Sequence, residues 1–195
     1  MLSQRFFARD AEIVARRVLG KHVRLGAVIL RITETEAYLG EHDTAAHARF
    51  GRTPRTAPLF GPPGHAYVYL CYGLHWMLNF VTGPNGSGAA ILIRACEPIA
   101  GTPVVQRRRG GKEGPVLLTG PGKVAAALAV DRRFNDHPLF EPGGLEVLDA
   151  PEPDQILIGP RVGIDFASPA DRAAPLRFAV AGTRWITAAR GLLTP

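Results

Sequence analysis

All four tyrosines of the chain, Tyr38, Tyr67, Tyr69 and Tyr72, and four of its six histidines, His42, His47, His65 and His75, fall between residues 38 and 75. An aliphatic core needs no such concentration of rings with polar tips, whereas a slot that sandwiches a planar, hydrogen-bonding ligand does. Just before it runs Ile32-Thr33-Glu34-Thr35-Glu36-Ala37-Tyr38. Strand alternation predicts Ile32, Glu34, Glu36 and Tyr38 on one face, about 6.6 Å apart in succession, so a carboxylate neighbours a ring. In Ala89-Ala90-Ile91-Leu92-Ile93-Arg94-Ala95-Cys96 a guanidinium interrupts an apolar strand. A buried unpaired charge costs several kcal/mol, so Arg94 must meet an anion, with Glu34, Glu36 and Glu97 as candidates. A carboxylate held beside an arginine in an aromatic pocket can orient and deprotonate water; Glu–Arg pairs of this kind also occur as purely structural ones.

Three further signals surround this group. Tyr67, Tyr69 and Cys71 share a strand face, while Tyr72 falls beside Gly73 at a predicted turn, where an exposed ring near basic residues resembles a wedge for a base stack. Asn79 enters an apolar strand and must find hydrogen bonds in a turn or from a ligand. The stretches around Arg49, Arg52 and Arg55, and Arg107-Arg108-Arg109, are the segments fitted to grip a phosphate backbone, with Lys123 adding a cation at the start of a predicted helix. His42 and His47 lack zinc-site spacing, and Thr119-Gly120-Pro121-Gly122-Lys123 lacks that of an NTP-binding loop, so no metal or cofactor is expected.

The elements that must position these residues are legible in outline. Asp10 can cap a helix through about Leu19, closed by Gly20. Short extended runs follow: HVRLGAVIL, RITETEAYL, AYVYLCY, HWMLNFV and AAILIRAC, whose brief connections predict antiparallel pairing. Residues 101–115 read as a Gly- and Arg-rich loop and residues 122–130 as a helix. LEVL and QILI read as short strands in a Pro- and acid-rich stretch, and LRFAVAG with RWITA as a closing strand pair. The expected class is α+β, one domain over residues 1–195.

With 195 residues, 46% hydrophobic and 21% charged, the composition is that of a globular chain. No apolar run approaches the ~18 residues of a membrane span, and the first residues show no signal-peptide core, which predicts a cytoplasmic protein. Cys71 and Cys96 read as core thiols. Charge is polarised: residues 1–130 carry a balance of +8, residues 131–155 of −5 and residues 156–195 of +3. A pI near 9.9 and a 20-to-3 excess of Arg over Lys point to a polyanionic partner such as nucleic acid.

The order of motifs is more specific than any one of them. Thr-Glu-Ala-Tyr (35–38), Ala-Ala-His (45–47), Arg-Thr-Pro-Arg (52–55), Tyr-Val-Tyr (67–69), Tyr-Gly (72–73), Asn79, Arg-Ala-Cys-Glu-Pro (94–98), Leu-Thr-Gly-Pro-Gly-Lys (118–123), Pro-Arg-Val-Gly (160–163) and Pro-Leu-Arg-Phe (175–178) span nearly the whole chain. In that succession the chain resembles the alkyladenine (3-methyladenine) DNA glycosylase family.

The resemblance implies a curved, open-barrel-like antiparallel sheet with peripheral helices and a β-hairpin wedge. It also implies a monomeric, monofunctional enzyme that flips damaged purines from double-stranded DNA and hydrolyses the N-glycosidic bond. Position by position it implies Glu36 as the general base and Arg94 as an arginine that helps hold the water. It puts Tyr38 on one side of the flipped base, and His47 and Tyr69 on the other. Tyr72 would fill the vacated stack, Asn79 would face the purine 2-position, and the Val162 backbone carbonyl would contact the water. Two rival classes frame the test, a carboxylate-pair glycoside hydrolase using Glu34 with Glu36 and a non-catalytic nucleic-acid-binding module.

Overall fold

The computed structural model describes residues 1–194. Strands β1 (His22–Leu25), β2 (Val28–Tyr38), β3 (Ala66–Cys71), β4 (His75–Thr82), β5 (Ala89–Ala100), β6 (Leu145–Leu148), β7 (Ile156–Gly159) and β8 (Arg177–Val180) form one antiparallel sheet. It runs in the order β3-β4-β5-β2-β1-β6 and does not close into a barrel. Gly26, at φ +58°, makes the two-residue turn that splits HVRLGAVIL into β1 and the start of β2, and β2 then continues unbroken through RITETEAY.

β2 is the branch point of the sheet. One edge pairs with β5 over nearly its whole length, while the other pairs with β1 over residues 28–31 and then with β8 over residues 34–36. At the change of partner the β2–β5 register slips twice: Thr33 is extra on β2 and Arg94 is extra on β5. A bulge re-aims side chains. Val28, Leu30 and Ile32 lie in the main core cluster, but beyond the bulge it is Ala37 that does; on β5 the core residues change from Ile91 and Ile93 to Cys96. Ile32 therefore does not share a face with Glu34, Glu36 and Tyr38, because the bulge at Thr33 shifts the alternation by one residue.

Helices α1 (Gln4–Phe7), α2 (Ala11–Arg17), α3 (Thr102–Arg108), α4 (Pro121–Leu128) and α5 (Pro169–Ala173) complete the fold. α2 buries Ala11, Val14 and Ala15; Asp10 holds its N-cap position without a side-chain bond, and Gly20 turns the chain away at φ +83°. α4 packs Val124, Ala125, Ala127 and Leu128 against β4 and β5. Its Gly122 sits so close to β4 that a Cβ there would lie 2.9 Å from that of His75. The segment 101–115 is not wholly a loop. Pro103 falls in the first turn of α3, where its missing N–H costs nothing, and Val105 is buried. RWITA is not a strand either; Trp185 enters the core while β8 finds its partners in β7 and β2.

The main core contains Phe7, Phe80 and Phe178, none of them solvent-accessible, each contributing about 1.5–3 kcal/mol by burial. A second cluster of Ala46, Ala48, Leu59, Phe60, Tyr67, Val81 and Ala90 lies under the loop between β2 and β3, with Tyr38 and Tyr69 packed on it. This second cluster is the foundation of the site.

Candidate active site

The twin bulges place four ionisable side chains together at the centre of the sheet. Glu34, Glu36 and Arg177 are essentially inaccessible and Arg94 nearly so. Glu34 is saturated: Arg177 donates to it through Nε at 2.7 Å, and Thr187 donates through both its hydroxyl and its backbone N–H. Glu36 is held differently. Its Oε1 accepts from the Val162 backbone N–H at 2.7 Å and its Oε2 from the Tyr38 hydroxyl at 2.9 Å. Arg94 bridges the two carboxylates, with Nη1 3.2 Å from Glu36 and Nε 3.4 Å from Glu34. The Nε–H of Arg94 makes no hydrogen bond within the described residues. Burial alone would lower the Arg94 pKa, but Glu36 and then Glu34 more than offset it and raise it. Glu97, the third candidate partner, pairs instead with Arg31 at 3.2 Å. The Val162 contact to Glu36 is thus made through the N–H of that residue.

Next to the carboxylate opens a cavity of about 500 Å³ lined by Tyr38, His47, Tyr67, Tyr69, Asn79 and, from the far loop, Gly163, Ile164 and Phe166. That is room for one ring system. Burial, then the Glu36 carboxylate, push the Tyr38 phenol well above its usual pKa, so it remains a donor to Glu36. His47 and Tyr69 meet edge to face with centroids 4.4 Å apart, and His47 Nδ1 lies 3.0 Å from the Tyr67 hydroxyl. Burial, followed by the charges of Arg55 and Arg49, lowers the His47 pKa to about 4, leaving a neutral imidazole at pH 7. Asn79 is neither in a turn nor idle: its Nδ2 donates to the Tyr67 carbonyl at 3.1 Å across the β3–β4 pair. Cys71 lines the cavity half-buried, so only Cys96 is a core thiol.

At the mouth stands the β3–β4 hairpin. Tyr72 and Gly73 both have positive φ, +48° and +71°, and the Leu74 N–H closes the turn on the Cys71 carbonyl at 3.0 Å. A tyrosine in the left-handed region costs about 1–2 kcal/mol, and this ring gains nothing by burial in return, being 92% exposed. Leu74 projects beside it, 75% exposed.

The basic residues divide. Arg55 lies on the cavity wall, its guanidinium 5.6 Å over the Tyr69 ring. Arg52 is exposed outside the cavity. Lys123 belongs to a separate cluster, where burial and the like charges of Arg109 and Lys112 lower its pKa. Among the described residues no three His, Cys, Asp or Glu side chains gather as a metal site would require.

Four residues of the site have no role assigned from the sequence, although two of them, Arg161 and Arg177, fall within the motifs at 160–163 and 175–178. Arg177, between Leu176 and Phe178 in β8, shows the same signal as Arg94, a guanidinium in an apolar run. Thr187 carries no mark in its own segment. Arg161 and Asp43 form a buried bidentate pair, with Nη2 to Oδ1 at 2.9 Å, and the guanidinium lies 4.8 Å from the Tyr38 ring centroid; 118 residues separate them.

An aromatic-walled slot, with a fixed carboxylate behind its wall and a strained hairpin at its mouth, in a basic protein, is what a DNA glycosylase requires, because a base inside a duplex presents no face to water. Residues 5–184 match the model of the family described as methylpurine-DNA glycosylase, and the chain belongs to that family. It is 55% identical to a DNA-3-methyladenine glycosylase of Arabidopsis thaliana over 197 aligned residues, covering 100% of this chain and 77% of the relative. A protein of Nitrosococcus oceani, provisionally named a 3-methyladenine DNA glycosylase, is also 55% identical, covering 96% of this chain and 93% of its own length.

Proposed function

We propose that this protein, acting as a monomer in the cytoplasm, extrudes an alkylated or deaminated purine from double-stranded DNA and hydrolyses its N-glycosidic bond, releasing the free base and leaving an abasic site. The observation that carries the reading is the Glu36 carboxylate, buried behind the cavity wall beside Tyr38 and fixed from three directions by Val162, Tyr38 and Arg94.

The flipped base lies between Tyr38 on one side and His47 with Tyr69 on the other. Glu36 itself does not line the cavity, but Gly163, the residue after its backbone donor, does. The Glu36 oxygen that accepts from Val162 keeps a second lone pair for a water. Glu36 takes a proton from that water as its oxygen attacks C1′ and the C1′–N bond electrons leave with the purine. Arg94 sets its guanidinium 3.2 Å from the carboxylate, and the Val162 carbonyl completes the water's contacts. An N-alkylated purine is already cationic and leaves readily, so one base suffices. Tyr72 occupies the gap left in the stack, and Asn79 faces the purine 2-position. Arg52, Arg55 and Lys123 contact phosphates, Arg55 from the cavity rim.

The saturation of Glu34 counts against a glycosidase using both carboxylates. No lysine lines the cavity among the described residues, which fits hydrolysis by water alone. The test is incubation with duplexes carrying 7-methylguanine, 3-methyladenine, hypoxanthine or ethenoadenine, followed by hot alkali. Strand cleavage at the lesion is expected, and intact strands with all four would overturn the reading.

A further inference from the structure

Two segments far apart in sequence meet beside the strands that line the cavity, one at residues 39–50 carrying His47 and one running from Arg161 through Val162 into α5. Besides the apolar packing of Ala45 with Ile164 and Ala167, three ties made by charged side chains join them. Asp43 takes both Nη groups of Arg161; Asp171 accepts from the Thr44 N–H and hydroxyl; and the Arg49 guanidinium lies between the rings of Phe50 and Phe166, at 4.4 and 4.7 Å. Only the first is directly joined to the residue that holds Glu36. Arg161 precedes Val162, and its guanidinium also donates to the Ala37 carbonyl at 2.9 Å, the residue after Glu36, and to the Asp171 carbonyl at 3.3 Å.

Stability alone explains this arginine poorly. A buried ion pair is often neutral or worse than an apolar replacement, and Arg161 leaves its Nε–H buried without a partner in the described residues. What the fork does achieve is geometric: it fixes the Ala37 end of β2, the Asp43 loop and the backbone of residue 162 to one planar group.

We propose that Arg161 is a positioning residue: paired with Asp43, it sets the Val162 N–H on Glu36 and so couples the base-binding loop to the carboxylate. The inference rests on the reading of Glu36 as the base. Around Glu36 the charged and titratable groups are Arg94 from β5, Tyr38 from its own strand, Arg177 and Glu34 across β8 and β2, and Arg161 and Tyr69 more remotely. Of its direct contacts, the Val162 N–H adjoins Arg161 in the chain and the Tyr38 ring lies under its guanidinium, whereas Arg94 makes no contact with it. A hydrogen bond to the charged form of a carboxylate favours that form, so losing the donors that Arg161 positions favours the protonated form while the Arg94 contact stays in place.

The experiment is the pH profile of single-turnover excision from a 7-methylguanine duplex, whose cationic base leaves without protonation. It is run on Arg161→Lys, Asp43→Asn and Glu36→Gln, each with duplex affinity and a melting curve. Lysine keeps the charge but not the fork, and asparagine keeps the shape of Asp43 but not the charge. The expected result is that the acid limb moves to higher pH in Arg161→Lys and Asp43→Asn. A rise of one unit lowers the rate about tenfold below both limbs and leaves it near wild type above them. A loss uniform across pH, or no change, in a folded variant while Glu36→Gln is inactive overturns the positioning role alone. Wild-type excision by Glu36→Gln overturns the base assignment as well. If Arg161→Lys fails to fold, Asp43→Asn decides the question.

Discussion

Glu34 and Glu36 sit two residues apart, both without solvent access, both touching Arg94, yet replacing each by glutamine has opposite consequences. In Glu36→Gln the amide oxygen still accepts from Val162, the NH2 faces the Tyr38 hydroxyl, and Arg94 keeps Glu34 at 3.4 Å. The structural loss is then one charge-assisted contact, about 1–3 kcal/mol. Chemistry loses its proton acceptor, and excision should fall by about 10²–10⁴-fold. In Glu34→Gln the arithmetic reverses. One Glu34 oxygen accepts from Arg177 and the Thr187 hydroxyl and the other from the Thr187 N–H, so an amide in either orientation aims a donor at a donor. Arg177 is left buried with no carboxylate, a loss of about 3–5 kcal/mol, which lowers the melting temperature of a chain this size by about 6–20 °C. Excision per folded molecule should fall less than about tenfold. Circular-dichroism melts and single-turnover excision on the same preparations check both halves. A stable but inactive Glu34→Gln beside an active Glu36→Gln would refute the division of labour.

Tyr72→Gly should leave the melting temperature unchanged or slightly higher, because glycine removes the left-handed strain at φ +48°, while excision from duplex DNA drops at least about tenfold; a marked loss of stability would mean that the ring holds the hairpin. Asn79→Ala should raise excision of guanine relative to hypoxanthine by about one to two decades, since the 2-amino group no longer meets a close polar side chain, and an unchanged ratio in matched duplexes would assign selectivity elsewhere. His47 has a folded pKa of about 4 against an ordinary 6.5, so between those values the unfolded chain binds more protons and stability falls as pH drops. Urea melts at pH 7.5 and 5 should show that loss diminished in His47→Gln, and an equal loss in both proteins would contradict it.

Glu36, Tyr38 and Arg94 were legible because strand periodicity and the penalty for a lone buried charge act locally, within windows of eight residues. The side assigned to Ile32 failed for an equally physical reason. A bulge changes the parity of a strand without changing its composition, and Thr33 is an ordinary strand residue. Arg177 carried the signal of Arg94 in plain form, whereas Asp43 and Arg161 are joined only by the closing of two loops, which no periodicity records. The segment ahead of α4 looked like a loop because its glycines and arginines outnumber the Pro-Val-Val that starts a helix there. Cys71 read as core from its apolar neighbours, but strands near a hairpin tip lose their cover on the side where the cavity opens.

The contact between Gly122 and His75 bears on how the protein searches. With 2.9 Å between the would-be Cβ and that of the histidine, the N-terminal turn of α4 is docked against His75, the first residue of β4 and the base of the hairpin. Under the proposed role, a hairpin braced at its base leaves more of the distortion needed for insertion to the double helix, so a lesion that weakens pairing or stacking would yield sooner than its intact neighbours.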